Sequence, residues 1–298
     1  MYFLTYSYNN KEYIGVLNRD KTAVIPVEMI FEKLKQTAPS DMINFIELSE
    51  DLDTVRFSEI INSSSNETIS LNDVKILAPI PYPKRNVICL GKNYAEHAKE
   101  IKAIKNINSD IPDKPIYFSK IAYPAIGQGE YINSHKEIVK ELDYEAELAI
   151  IIGKNCKAVN KEDAENYIFG YTIANDISAR DIQSEHIQWH KGKSLDTFCS
   201  LGPYIVHKSG IAFPPQLEIK CYVNDELRQD GNTNQLIFDI PTIISDLSKG
   251  ITLFAGDIIL TGTPAGVGAG FVPPKYLKSG DIVSCYIESI GELTNVIK

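Results

Sequence analysis

From Ile76 onward the chain is a series of short strand-like runs: NVICLG, ELAIIIG, YIFGYTIAND, PYIVH, LEIKCYVN, DIILTG and DIVSCYIES. Gly, Pro, Asn and Asp part them, as turn residues part strands. Helical patterns are few there, NYAEHAKEIKAI, KEDAENY and IPTIISDLSKGITL. Strands that do not alternate regularly with helices argue against a doubly wound sheet. The pattern predicts a β-rich α+β fold whose loops carry the chemistry. Upstream, YFLTYSY and YIGVL read as a strand pair turning at Asn9 and Asn10, and IPVEMIFEKLKQ reads as a helix. The polar stretch from Ile61 to Asp73 reads as a connector. The expected division is a small N-terminal α+β domain, residues 1–72, and a main domain, residues 73–298.

Composition narrows the function classes. A net charge of −9 without a basic cluster argues against a nucleic-acid partner. Cys89, Cys156, Cys199, Cys221 and Cys285 are scattered without CxxC spacing, which reads as reduced thiols filling a core. No run approaches the length of a membrane span, and the start MYFLTYSYNNKEY lacks the pattern of a signal peptide. The expectation is a cytoplasmic protein with no membrane partner.

The segment ELDYEAELAIIIG, Glu141 to Gly153, raises a sharper question. As a strand it puts Asp143, Glu145 and Glu147 on one face, followed on that face by Ala149 and Ile151. Acids on an alternating strand are ordinarily a solvated face. A face that is wet at Glu147 and dry two residues later lies at the mouth of a core, where carboxylates must be paired, protonated or metal-bound. Asp176 closes the apolar run of YTIANDISARDIQ; alone it reads as an N-cap or an Asx-turn. Together Glu145, Glu147 and Asp176 form a candidate three-carboxylate site. Oxygen donors with no nearby His or Cys suit Mg²⁺ or Mn²⁺, not Zn²⁺.

DYEAELAIIIGK, NDISARDIQ, GKSLDTFCSLGP and GDIILTGTPAGVG follow LGKNYAEHAKE in that order. This series closely resembles the fumarylacetoacetate hydrolase family, from about Ile76 to Lys298. The resemblance implies a mixed β-sandwich roll, a homodimer, one Mg²⁺ or Mn²⁺ per subunit, and a small 2-oxo acid as substrate. It implies Glu145, Glu147 and Asp176 as metal ligands, Lys193 as the active-site lysine and Gln183 as a polar site residue. His97 and Glu100 match a dyad on a segment that orders over substrate, and Thr263 with Gly262 match positions that hold the substrate carboxylate. Ser200 and Ala255 stand where the family has proline, a departure that touches loop rigidity rather than chemistry.

Each position also has a plain physical reading. His97 and Glu100 are three apart and share a helix face; without the resemblance they are an ordinary surface pair. With it, Glu100 orients an imidazole that deprotonates water. Lys193 would place fixed positive charge where an enolate forms, although it and its neighbour Lys191 also read as plain surface lysines. His186 and His190 have metal-ligand spacing if helical, but a third ligand is missing, so they read as loop residues. TGTPAGVGAG lacks the GK[ST] of a P-loop, although backbone N–H groups in such a turn can hold a carboxylate; for Gly266, Gly268 and Gly270 a tight turn with no ligand role is the plain alternative. The expected activity is metal-dependent C–C cleavage in a 2-oxo or 2,4-dioxo acid. Acylpyruvate hydrolysis comes first, then oxaloacetate decarboxylation, then dienoate isomerisation or tautomerisation. A non-catalytic regulatory protein on the same scaffold is the alternative of a different class, and the intact set of expected positions counts against it.

Overall fold

A computed structural model describes residues 1–51, 54–64, 67–105 and 111–298. The run AELAIII is buried along its whole length because the sheet containing it is covered on both faces. Ala146, Leu148, Ile150 and Ile152 point into a core shared with Ile219, Cys221, Val283 and Cys285 of a second sheet. Ala149 and Ile151 point the other way, into a core built with Phe3, Phe45 and Ile46 of the N-terminal part. Period-two alternation on one strand therefore feeds two cores at once.

Among the described residues the larger sheet has 11 strands. Its inner strands are Cys199–His207, Ile168–Asp176, Ala146–Ile152, Ile258–Leu260 and Val87–Gly91, with Ile116–Lys120 at one edge. All these pairs are antiparallel except Ile258–Leu260 with Val87–Gly91, which is parallel. The smaller sheet runs Glu226–Asn232, Glu218–Val223, Ile282–Ile287, Gly291–Ile297 and Tyr131–Ile132. Two sheets packed through apolar inner faces, with helices at the margin, make the expected β-rich α+β sandwich roll.

The N-terminal part is α+β as expected, and its strands continue the main sheet. Tyr2–Tyr8 pairs with Cys199–His207 and also with Lys11–Leu17. Asn9 and Asn10 close that hairpin with φ of 51° and 60°, the left-handed pair that a tight type I′ turn requires. The Phe3 ring lies 5.3 Å from that of Phe169, so both parts of the chain share an aromatic core. The expected connector is more ordered at its ends than its composition implies. Ile61 to Ser63 finish the helix Thr54–Ser63, and Ile69–Ser70 forms an edge strand against Ala23–Pro26; Ser65 and Asn66 lie outside the described residues. KEDAENY forms a 3₁₀ helix, and the helix expected over NYAEHAKEIKAI spans Ala95–Lys105. All five cysteines are free and buried. Among the described residues no helix is long and apolar enough to cross a membrane.

Candidate active site

Strand register brings the acids together. Ala146–Ile152 and Ile168–Asp176 run antiparallel with Glu147 opposite Ala174, and the Asp176 amide donates to the Glu145 carbonyl at 2.9 Å. Opposed residues share a face, so Glu145, Glu147 and Asp176 converge where the two strands end. One oxygen from each lies within 4.8 Å of the others, and all three side chains are buried. Asp143 departs from its expected place beside them. The chain bends after Leu142–Asp143, a short strand paired with Ser178–Ala179. The Asp143 carboxylate instead accepts from the amides of Gly268 and Ala269, at 2.6 and 3.0 Å.

Buried cations surround the acids. Lys193, at the end of the short helix His190–Lys193, donates to Glu145 at 2.7 Å and to Asp176 at 2.8 Å. Lys120 ends its strand fully buried; it donates to the other Asp176 oxygen and, at 2.6 Å, to the carbonyl of Phe198. Arg180 opens the helix Arg180–Glu185 and joins Asp143 to Glu145, at 2.8 and 2.7 Å. Burial alone would raise the Glu145 pKa, but Lys193, Arg180 and His97 outweigh it and hold the carboxyl well below the usual range. Burial likewise works against the Lys193 ammonium, yet Asp176 and Glu145 keep its pKa above the ordinary lysine value.

Glu147 differs from its neighbours. Among the described residues it forms no ion pair; its Oε2 accepts from the Gly262 amide at 2.6 Å. Burial, then the negative charges of Asp176 and Glu145, push its carboxyl well above the ordinary value. The cluster thus holds four acids, Asp143, Glu145, Glu147 and Asp176, against three cations, Lys120, Arg180 and Lys193. A further hard cation fits both the donor set and the missing charge.

Of these groups Glu145, Glu147, Arg180 and Lys193 border a cavity of ≈ 160 Å³, also lined by His97, Gln183, Thr263, Phe118 and Trp189. Nδ1 of His97 is 3.3 Å from Glu100 Oε2, so the i,i+3 pair expected on one helix face is present and His97 is buried. Glu100 is held from below by the glycine-rich segment, whose Gly266 amide donates to it at 3.0 Å. A Cβ on Gly270 would lie 1.7 Å from Glu100 Oε1, so only glycine allows this approach. The glycine-rich segment, whose amides hold the Glu100 and Asp143 carboxylates, is thus a seat for the His97 helix. Gln183 accepts from Arg180 at 3.2 Å. The Thr263 hydroxyl donates to the Ala146 carbonyl at 2.8 Å and accepts from Gln229 at 2.7 Å. His186 and His190 stay outside the cluster; each ring faces a carbonyl, Ile182 at 3.2 Å and Ser119 at 2.8 Å.

Sequence reasoning missed Arg180 and Lys120. Arg180 stands in NDISARDIQ, four residues after Asp176, and Lys120 closes the strand IYFSK. A basic residue among apolar ones was the available signal, since such a residue is buried only when paired.

Residues 86–298 match the family model described as fumarylacetoacetate (FAA) hydrolase C-terminal. The oxaloacetate tautomerase YisK of Bacillus subtilis is 52% identical over 228 residues, covering 76% of this chain and 74% of that protein. The solved fumarylacetoacetate hydrolase of the psychrophile Exiguobacterium antarcticum superposes with a TM-score of 0.83 at 37% identity, covering 100% of this chain and 99% of that one. The maleylpyruvate hydrolase of Sphingobium sp. SYK-6, solved with manganese(II) and pyruvate, has a TM-score of 0.78 at 28% identity, over 100% of this chain and 98% of that one.

Proposed function

The chain belongs to the fumarylacetoacetate hydrolase family, and from that premise we propose that it is an enzyme interconverting the enol and keto forms of oxaloacetate. The observation that carries the reading is a pocket in which a charged lysine, Lys193, sits between two acids beside a third, Glu147, that forms no ion pair with any described residue. The similarity to an oxaloacetate tautomerase supports the choice of substrate.

In this reading Glu145, Glu147 and Asp176 hold Mg²⁺ or Mn²⁺, and manganese in the maleylpyruvate hydrolase supports that ligand class. When bound, the ion supplies Lewis-acid pull on the 2-oxo group, favouring charge on that oxygen. Lys193 keeps a fixed positive charge where negative charge develops on the substrate oxygen. Arg180 holds Glu145 in place, and Gln183 accepts from Arg180. His97, with Nδ1 turned to Glu100, offers Nε2 to the proton moving at C3. Gly262 positions Glu147 through its amide, and Thr263 presents the loop edge to the substrate carboxylate.

Acylpyruvate hydrolysis is the second reading, favoured by the His97–Glu100 pair, which suits activation of a water for attack at C4. Oxaloacetate decarboxylation shares the same enolate and needs no water. The test follows decay of enol-oxaloacetate and release of pyruvate from oxaloacetate and a panel of acylpyruvates, with Mn²⁺ and after chelation. Chelator-sensitive acceleration of enol decay supports the proposal. Pyruvate release from acylpyruvates alone selects the second reading. No acceleration with any substrate, with metal bound, favours a non-catalytic protein.

A further inference from the structure

Lys92 stands apart among the cations lining the cavity. Arg180 and Lys193 are committed to carboxylates, whereas the Lys92 side chain forms no ion pair or hydrogen bond with any described residue. Its backbone has φ of 55°, the left-handed region that a lysine seldom occupies. Pinned neighbours hold it there. Gly91 lies so close under Trp189 that an added Cβ would come within 2.2 Å of the indole. Asn93 donates to the carbonyls of Phe238 and Thr261 at 3.0 and 2.8 Å and accepts from the Phe238 amide at 2.8 Å. An unusual backbone fixed from both sides places an uncommitted lysine in the cavity lining. The cavity lining also includes the apolar side chains Leu90, Phe118 and Trp189, and its other cations, Arg180 and Lys193, are paired with acids.

We propose that Lys92 is the recognition residue for a second carboxylate, so that the site selects dicarboxylic over monocarboxylic 2-oxo acids. The inference rests on the proposed 2-oxo acid chemistry and adds the chemical class at the far end of the substrate. A carboxylate there would meet a partly buried lysine beside apolar side chains, where a charge-assisted hydrogen bond is stronger than one between neutral groups. An uncharged tail would leave that ammonium unpaired.

The test uses malate and 2-hydroxybutanoate, which lack the reacting keto group and differ only in the far carboxylate. Calorimetric affinities are measured for the Mn²⁺-loaded protein and for the Lys92→Met and Lys92→Arg variants. The wild type is expected to prefer malate by about 10-fold or more. Lys92→Met is expected to lose the preference and Lys92→Arg to retain most of it. Equal affinities in the wild type, or an unchanged preference in Lys92→Met, would overturn the proposal. A malate preference lost in Lys92→Met, in a protein that turns over no 2-oxo acid, would sustain the subsite and defeat the reaction reading instead.

Discussion

At the residue scale, Glu147 is the most informative position because burial and two like charges oppose its ionisation and outweigh the opposing pull of Lys193 and the Gly262 amide. Glu147→Gln is expected to weaken Mn²⁺ binding by more than the ~10–100-fold typical of losing an outer partner. The metal-free variant should melt no lower than wild type, since the substitution removes a buried charge. A large fall in melting temperature with normal metal affinity would make Glu147 structural. His97→Ala is expected to lower turnover by ~10²–10⁴-fold, the usual worth of a positioned acid–base group, with metal affinity retained in calorimetry. An unchanged rate would remove His97 from the reaction.

At the element scale, the glycine-rich segment and the helix Ala95–Lys105 act as one unit through Glu100. Gly270→Ala is expected to displace Glu100, loosen His97 and lower turnover by about 10-fold while Mn²⁺ affinity holds. Steady-state rates across a metal titration separate the two effects; a drop in metal affinity alone would contradict the coupling. Much of this architecture was legible in the sequence. Alternation along ELAIII and YTIAND carries Glu145, Glu147 and Asp176 to one face, because strand period two is a local property. The bend after Asp143 was not legible, since it answers to Gly268 and Ala269, more than a hundred residues away. Arg180 and Lys120 escaped for a similar reason: whether a cation is buried depends on acids that only the fold brings near. The N-terminal strands read correctly as a hairpin, but their pairing with Cys199–His207 is a contact that periodicity cannot encode.

At the scale of the whole molecule, His207 links the joined N-terminal and main sheets to pH. Burial, then the Met1 amino group and Lys208, push its pKa down to about 4 from 6.5, and its Nδ1 accepts from the Ser209 amide at 3.3 Å. An unfolded histidine binds a proton that the folded one refuses, so its contribution to stability is complete above the unfolded value and is lost as pH falls towards about 4. His207→Gln is expected to flatten the fall in melting temperature between neutral and mildly acid pH; an identical slope would contradict this. We propose a dimer, supported by the apolar side chains of Ile187 and Val272, each 96% exposed. Light scattering is expected to give twice 33.3 kDa, and a monomer at micromolar concentration would remove it. The central claim, a hard divalent cation held by three buried acids, is tested most directly by anomalous diffraction from a crystal grown with Mn²⁺. The account predicts one strong peak per chain bounded by Glu145, Glu147 and Asp176. No peak there at saturating Mn²⁺, with Lys193 still bridging Glu145 and Asp176, would contradict it.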